Sequence, residues 1–189
     1  MAQKTIPSGA RRLAKTDYRN LMRRRIRRIL LICSSYDAYT LEEDGRLEVQ
    51  LNHEYMELNL SNPPSFTRVS SSTEALELLQ GENDFDLVIS MFNVGDLDVF
   101  HFSKQLKALH PEIPFVLLTN FSKDIYRRIE GEDRSAIDYI FSWHGNADLI
   151  LAIVKLIEDR MNADDDILGV GVQSILLVED SIRYYSTYL

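Results

Sequence analysis

Two adjacent carboxylates, Glu179 and Asp180, end the apolar run Ile175-Leu176-Leu177-Val178. Paired carboxylate oxygens are the hard ligands that a divalent cation such as magnesium takes. The tip of a buried strand is also where an open α/β sheet holds its ligand chemistry. Nearly the same phrase occurs earlier, as Ile29-Leu30-Leu31-Ile32-Cys33-Ser34-Ser35, and there the two acidic places hold Cys33 and Ser34. A thiol and a hydroxyl supply no anionic oxygen. The chain therefore reads as one unit that lacks an acid pair, followed by the beginning of another that keeps it. A unit of the first kind binds rather than reacts.

The elements that position these residues follow from periodicity. Apolar runs at Ile29 to Cys33, Phe66 to Val69, Leu87 to Met91, Phe115 to Thr119 and Asp138 to Phe141 predict five strands. Between them lie amphipathic stretches: Leu47, Leu51, Tyr55 and Leu58 at helical spacing, ended by Asn62-Pro63-Pro64; Ala75 to Leu79 behind the capping pair Ser71 and Glu74; Phe100, Leu106 and Leu109; and a more charged stretch, Ile125 to Glu130. Leu149, Ile150, Ile153, Val154, Ile157 and Met161 predict the clearest amphipathic helix. Five alternating βα units imply an α/β domain with a five-stranded parallel sheet covered on both faces. Residues 162–171, with Asp164-Asp165-Asp166 and two glycines, read as a polar linker. Residues 172–189 read as a further strand and the start of a helix, too little to bury their own apolar faces. The expectation is that they open a second domain of a longer protein. The other reading has the extra strand joining the first sheet's edge or another chain.

The order of these units, with Phe85-Asp86-Leu87-Val88-Ile89-Ser90 entering the third strand and Ile113 to Thr119 forming the fourth, resembles the receiver domain of bacterial response regulators over roughly residues 26 to 161. The resemblance implies a doubly wound, flavodoxin-like (βα)5 fold. It also implies a phosphorylation pocket at the strand tips: an acid pair after the first strand, an acceptor aspartate after the third, a hydroxyl after the fourth, and a lysine followed by proline after the fifth. Here those positions fall on Cys33 and Ser34, Met91, Thr119, and Ser142 with Trp143. Only the hydroxyl is kept, so the expectation is a degenerate receiver with no cofactor and no metal. In the second unit Glu179 and Asp180 match the acid pair, but only as an incomplete pair. A tandem arrangement of this kind, with Arg-Arg-Ile-Leu-Leu-Ile and the acidic stretch Leu41 to Leu47, is similar to the N-terminal part of proteins related to phosphoenolpyruvate synthase and pyruvate phosphate dikinase. The partners this implies are downstream domains of the same polypeptide, or a second copy of the chain.

The chemistry of the substitutions leads the same way without the family. Magnesium takes oxygen ligands, a methionine thioether cannot form an acyl phosphate, and no lysine stands ready to meet developing negative charge. Asp37, Asp96 and Asp98 are close enough in sequence to substitute for the missing acids, or they are helix caps and loop charges. Met91, Phe92, Phe121 and Trp143 would make the former pocket soft and aromatic. Trp143 then plugs the site or faces a partner; Phe92 shares those two roles. His144 beside it, like His53, His101 and His110, has no second ligand motif and reads as a surface histidine.

Charge divides the molecule. Residues 1–30 carry ten Lys or Arg against one acid, a balance of +9, which leaves −17 on residues 31–189 of the total of −8. The head reads as a basic helical extension over residues 1–25 that docks on the acidic body. A nucleic-acid module is the alternative, and it would require that body not to repel phosphates. Cys33 is the single cysteine, which excludes an intrachain disulfide and points to a reducing cytoplasm. No apolar run approaches the ~20 residues of a membrane span.

Overall fold

Five short apolar segments form parallel strands: β1 (Arg28–Ile32), β2 (Ser65–Val69), β3 (Leu87–Met91), β4 (Phe115–Thr119) and β5 (Tyr139–Ser142). The computed structural model describes residues 21–37, 39, 47–58, 60, 62–81, 84–120, 122–143, 147–175, 177–179 and 181–188. Its helices are α1 (Leu47–Glu57), α2 (Ser72–Gln80), α3 (Val99–Leu109), α4 (Lys123–Gly131), α5 (Ala147–Asp164) and α6 (Ile182–Tyr188), with a π-helical turn over Asp165–Val170. The strand order is β2-β1-β3-β4-β5, all parallel. This is the doubly wound, flavodoxin-like arrangement, in which the winding direction reverses between β1 and β3.

Side-chain alternation sends the two halves of each strand to different layers. Ile29, Leu31, Leu87, Ile89, Val116 and Leu118 pack with Leu47 of α1 and Ile150, Ile153, Val154 and Ile157 of α5. Leu30, Ile32, Val88, Phe115 and Leu117 pack with Ala75 and Leu79 of α2, Phe102 and Leu106 of α3, and Ile129 of α4. Both faces being covered explains why β3 and β4 are uninterrupted apolar runs, buried at every residue. Helix starts are set by side-chain caps: Ser71 accepts from Glu74 N, Asp98 from Phe100 N and His101 N, and Ser122 from Ile125 N. The Ser71 cap is the one expected. The Glu74 carboxylate reaches back to Ser70 N at 3.2 Å instead of to the cap residue's own amide.

Three expectations need correction. Residues 162–170 are not a flexible linker: α5 runs to Asp164 and the π turn continues to Val170, with Asn162 and Asp166 buried. Their polar side chains are consumed by an N-terminal segment that crosses α5, so polarity there marks a contact and not solvent. The basic segment just before β1 is not helical over residues 21–27. It does dock on the acidic body, as Arg24 pairs with Asp165 and Arg25 with Glu158. Finally, residues 172–175 and 177–179 form no strand, and Ile175 is 97% exposed. The element placed against the sheet edge is the helix α6, where Tyr185 stacks on Phe141 with ring centroids 5.7 Å apart. The proposed head helix over residues 1–20 and the acidic stretch 41–46 lie outside the described residues.

Candidate functional site

Parallel pairing brings the expected pocket residues to one end of the sheet. Met91, Thr119 and Ser142 are the last residues of β3, β4 and β5, and Cys33 follows β1 directly. The ladders continue one step past the strands: Cys33 N donates to Val69 O at 3.1 Å, Phe92 N to Leu118 O at 2.8 Å and Trp143 N to Thr119 O at 2.9 Å. These bonds hold the tips in register.

The side chains at those tips are mostly turned into the core. Cys33 (1% exposed), Met91 (6%) and Trp143 (9%) belong to the apolar cluster between the sheet and the α1/α5 layer, with Phe141 and Ile150. Strand parity explains this, because Leu31 and Cys33, and Ile89 and Met91, share a face. The hydroxyls are spent on neighbours. Ser34 Oγ donates to Asp37 Oδ2 at 2.7 Å and accepts from Asp37 N at 3.1 Å, while Thr119 Oγ1 donates to Asn120 O at 3.2 Å. The backbone N–H of Ser142 donates to Ser186 Oγ of α6 at 2.8 Å, and Ser186 Oγ donates to Ile182 O at 2.6 Å.

Each acid that could stand in for a missing carboxylate is engaged. Asp37 closes the Ser34 helical start. Asp96 caps α2 from across the sheet tip, accepting from Ser72 N at 2.9 Å, Thr73 N at 2.8 Å and Thr73 Oγ1 at 2.9 Å. Partial desolvation raises its pKa, but these hydrogen bonds outweigh that and hold the carboxyl down to about 2. Asp98 caps α3 and pairs with Arg128 of α4, whose guanidinium also lies 5.4 Å from the Phe92 ring centre. Phe92 meets Phe100 edge to face at 6.2 Å. Phe92 is thus held against α3 and α4, on the opposite side of the sheet from Trp143.

The resemblance drawn from the sequence implies a magnesium site, and the described side chains at the strand tips do not match the donor set of one. The tip side chains offer two sulfurs, buried among hydrocarbon, and hydroxyls already bonded; a hard divalent cation prefers several carboxylate or carbonyl oxygens in octahedral array. Glu179 accepts from Ser181 N at 3.0 Å, the role of a helix start, and Asp180 lies outside the described residues, as do Phe121 and His144. Among the described residues the group of three metal-type ligands lies elsewhere, on α1: His53, Glu54 and Glu57, within 4.8 Å of one another, two of them exposed. Sequence reasoning missed the α6 contact at Ser142. Ile182, Tyr185 and Ser186, at i, i+3 and i+4 on one helical face, were the available signal.

No family model matches the chain, and no curated protein matches it. Solved structures do. A response-regulator receiver domain of Clostridium thermocellum is 18% identical, with a TM-score of 0.51 over 73% of this chain and 98% of that one. A chemotaxis response regulator of Vibrio cholerae is 16% identical, with a TM-score of 0.51 over 70% of this chain and 98% of that one. A streptococcal structure, described as from a family of redox sensors evolved from two-component response regulators, is 20% identical, with a TM-score of 0.56 over 83% of this chain and 59% of that one. The chain has the receiver fold. Function has to be argued from its own site.

Proposed function

We propose that this chain is a regulatory, noncatalytic receiver-like module that works by contact instead of by phosphoryl transfer. The observation that carries the reading is the content of the strand tips. The acceptor position is a buried methionine, the acid-pair positions are a buried cysteine and a serine bonded to Asp37, and the lysine position is a serine. Asp37, Asp96 and Asp98 support the same reading, since each serves a helix start or an ion pair. Trp143 acts as a plug in this view, packed with Met91 and Cys33 in the apolar cluster below the strand tips. The partners proposed are further domains of the same polypeptide or a second copy. In a larger phosphotransferase-type protein the module would transmit position, not phosphate. No cofactor is proposed.

The test is incubation of the folded chain with magnesium and a small phosphodonor such as acetyl phosphate, followed by intact-mass measurement at neutral and acid pH. The reading predicts an unchanged mass. A stoichiometric, acid-labile gain of one phosphoryl group would overturn it and would place the acceptor among the displaced acids.

A further inference from the structure

Three of the buried polar side chains lie on one helical stripe. Glu158 (1% exposed), Asn162 (0%) and Asp166 (7%) are spaced i, i+4, i+8 along α5 and its π turn. Each binds main chain of the segment that precedes β1. Glu158 Oε1 accepts from Ile26 N at 3.0 Å. Asn162 Oδ1 accepts from Arg24 N at 2.8 Å and its Nδ2 donates to Arg24 O at 2.8 Å. Asp166 accepts from Met22 N at 3.3 Å through both oxygens. The bound positions are every second residue, 26, 24 and 22, running antiparallel to the helix. The stripe thus pairs with the main chain of a segment that bends at Met22 and Arg24, with side chains in place of a ladder.

Charge adds side-chain selectivity. Glu158 also takes Arg25 at 3.3 Å and Lys155 at 2.8 Å, and Arg24 reaches Met161 O at 3.2 Å and Asp165 at 3.5 Å. We infer that this stripe of α5 and its π turn is a binding groove for an arginine-bearing peptide segment, and that residues 22–25 are its exchangeable intramolecular occupant, hinged at the buried Ile26. Three features separate such an occupant from a fixed part of the core. Its apolar anchor is Ile26 alone, while Arg23, Arg24 and Arg25 are exposed. Residues 22–25 meet polar groups, so water can replace their hydrogen bonds while Ile26 stays in the core. Met22 is held at φ 52°, a left-handed conformation unfavourable for a non-glycine residue and relieved on release. Segments of this kind open at the low end of a protein's stability range.

Native-state hydrogen exchange on the full chain tests the inference. The amides of Met22 and Arg24 should exchange through a local opening at least a hundredfold faster than those of Leu30 and Val88 in the central strands. Asn162→Ala, which removes both bonds to Arg24, should speed Arg24 exchange about tenfold or more while leaving Leu30 and Val88 unchanged. A synthetic peptide of residues 21–27 should speed it too, in a saturable way. Millimolar peptide is required because a tethered occupant has an effective concentration in that range. The same peptide N-methylated at the amides of Met22, Arg24 and Ile26, which keeps the charge and removes the three donors, should not. Exchange of Met22 and Arg24 only with the central strands would show the segment to be a fixed part of the fold. Equal effects of the native and N-methylated peptides would show charge alone at work. Either result overturns the inference.

Discussion

Met91 is the residue on which the proposed reading turns, because that reading gives it the place of an acceptor acid and it is packed with Cys33 and Trp143. Met91→Asp would place a carboxylate in that apolar cluster with no lysine or metal to pair with it. We expect a loss of about 2–4 kcal/mol in urea unfolding and no gain of magnesium binding by calorimetry. Full stability together with magnesium affinity would mean that the pocket is still polar. Asp96 makes the opposite kind of prediction. Its carboxyl is held at about 2, below the ordinary value near 3.9 of an unfolded chain, so its contribution to stability is present above about pH 4 and is lost as pH falls through about 2. Asp96→Ala should cost about 1 kcal/mol at pH 7, as other cap deletions do, and progressively less as pH falls from about 4 towards 2. A cost that stays the same from pH 7 to pH 2 would assign the loss to packing.

At the scale of elements, the contact between α6 and β5 ties the C-terminal residues to the edge of the candidate site. Ser186→Ala removes the acceptor for Ser142 N–H, and the Ser142 amide should exchange about two- to tenfold faster while the amide of Val88 keeps its rate. Unchanged exchange at Ser142 would mean that α6 does not rest on the edge strand in solution. Sequence legibility also differs from element to element. β3 and β4 were readable to the residue because both faces of a central parallel strand are apolar, so composition alone marks their ends. β5 was displaced by one residue because Asp138 serves as a side-chain acceptor for Phe115 N and a partner of Lys107 instead of continuing the strand. The run at 175–178 has strand composition, but pairing requires a neighbour that composition does not specify.

Over the whole molecule, the doubly wound sheet was legible from the alternation of units, and its strand order places Cys33, Met91, Thr119 and Ser142 at one end of the sheet. What was not legible came from contacts far apart in sequence. The Asp164-Asp165-Asp166 run looked like solvated linker because nothing local reveals that Asp166 meets Met22, 144 residues away. Likewise the basic head looked like a helix, and its described part is a non-helical strap whose arginines meet acids of α5 and the π turn. The account's central claim is that the strand-tip pocket is filled and silent. Trp143 is the only tryptophan and lies in the same cluster as Met91 and Cys33, so its fluorescence reports on that pocket directly. Titrating the intact chain with magnesium, then with beryllofluoride as a phosphoryl mimic, should leave the emission unchanged. A saturable change that needs both would contradict the account and make the domain a working switch.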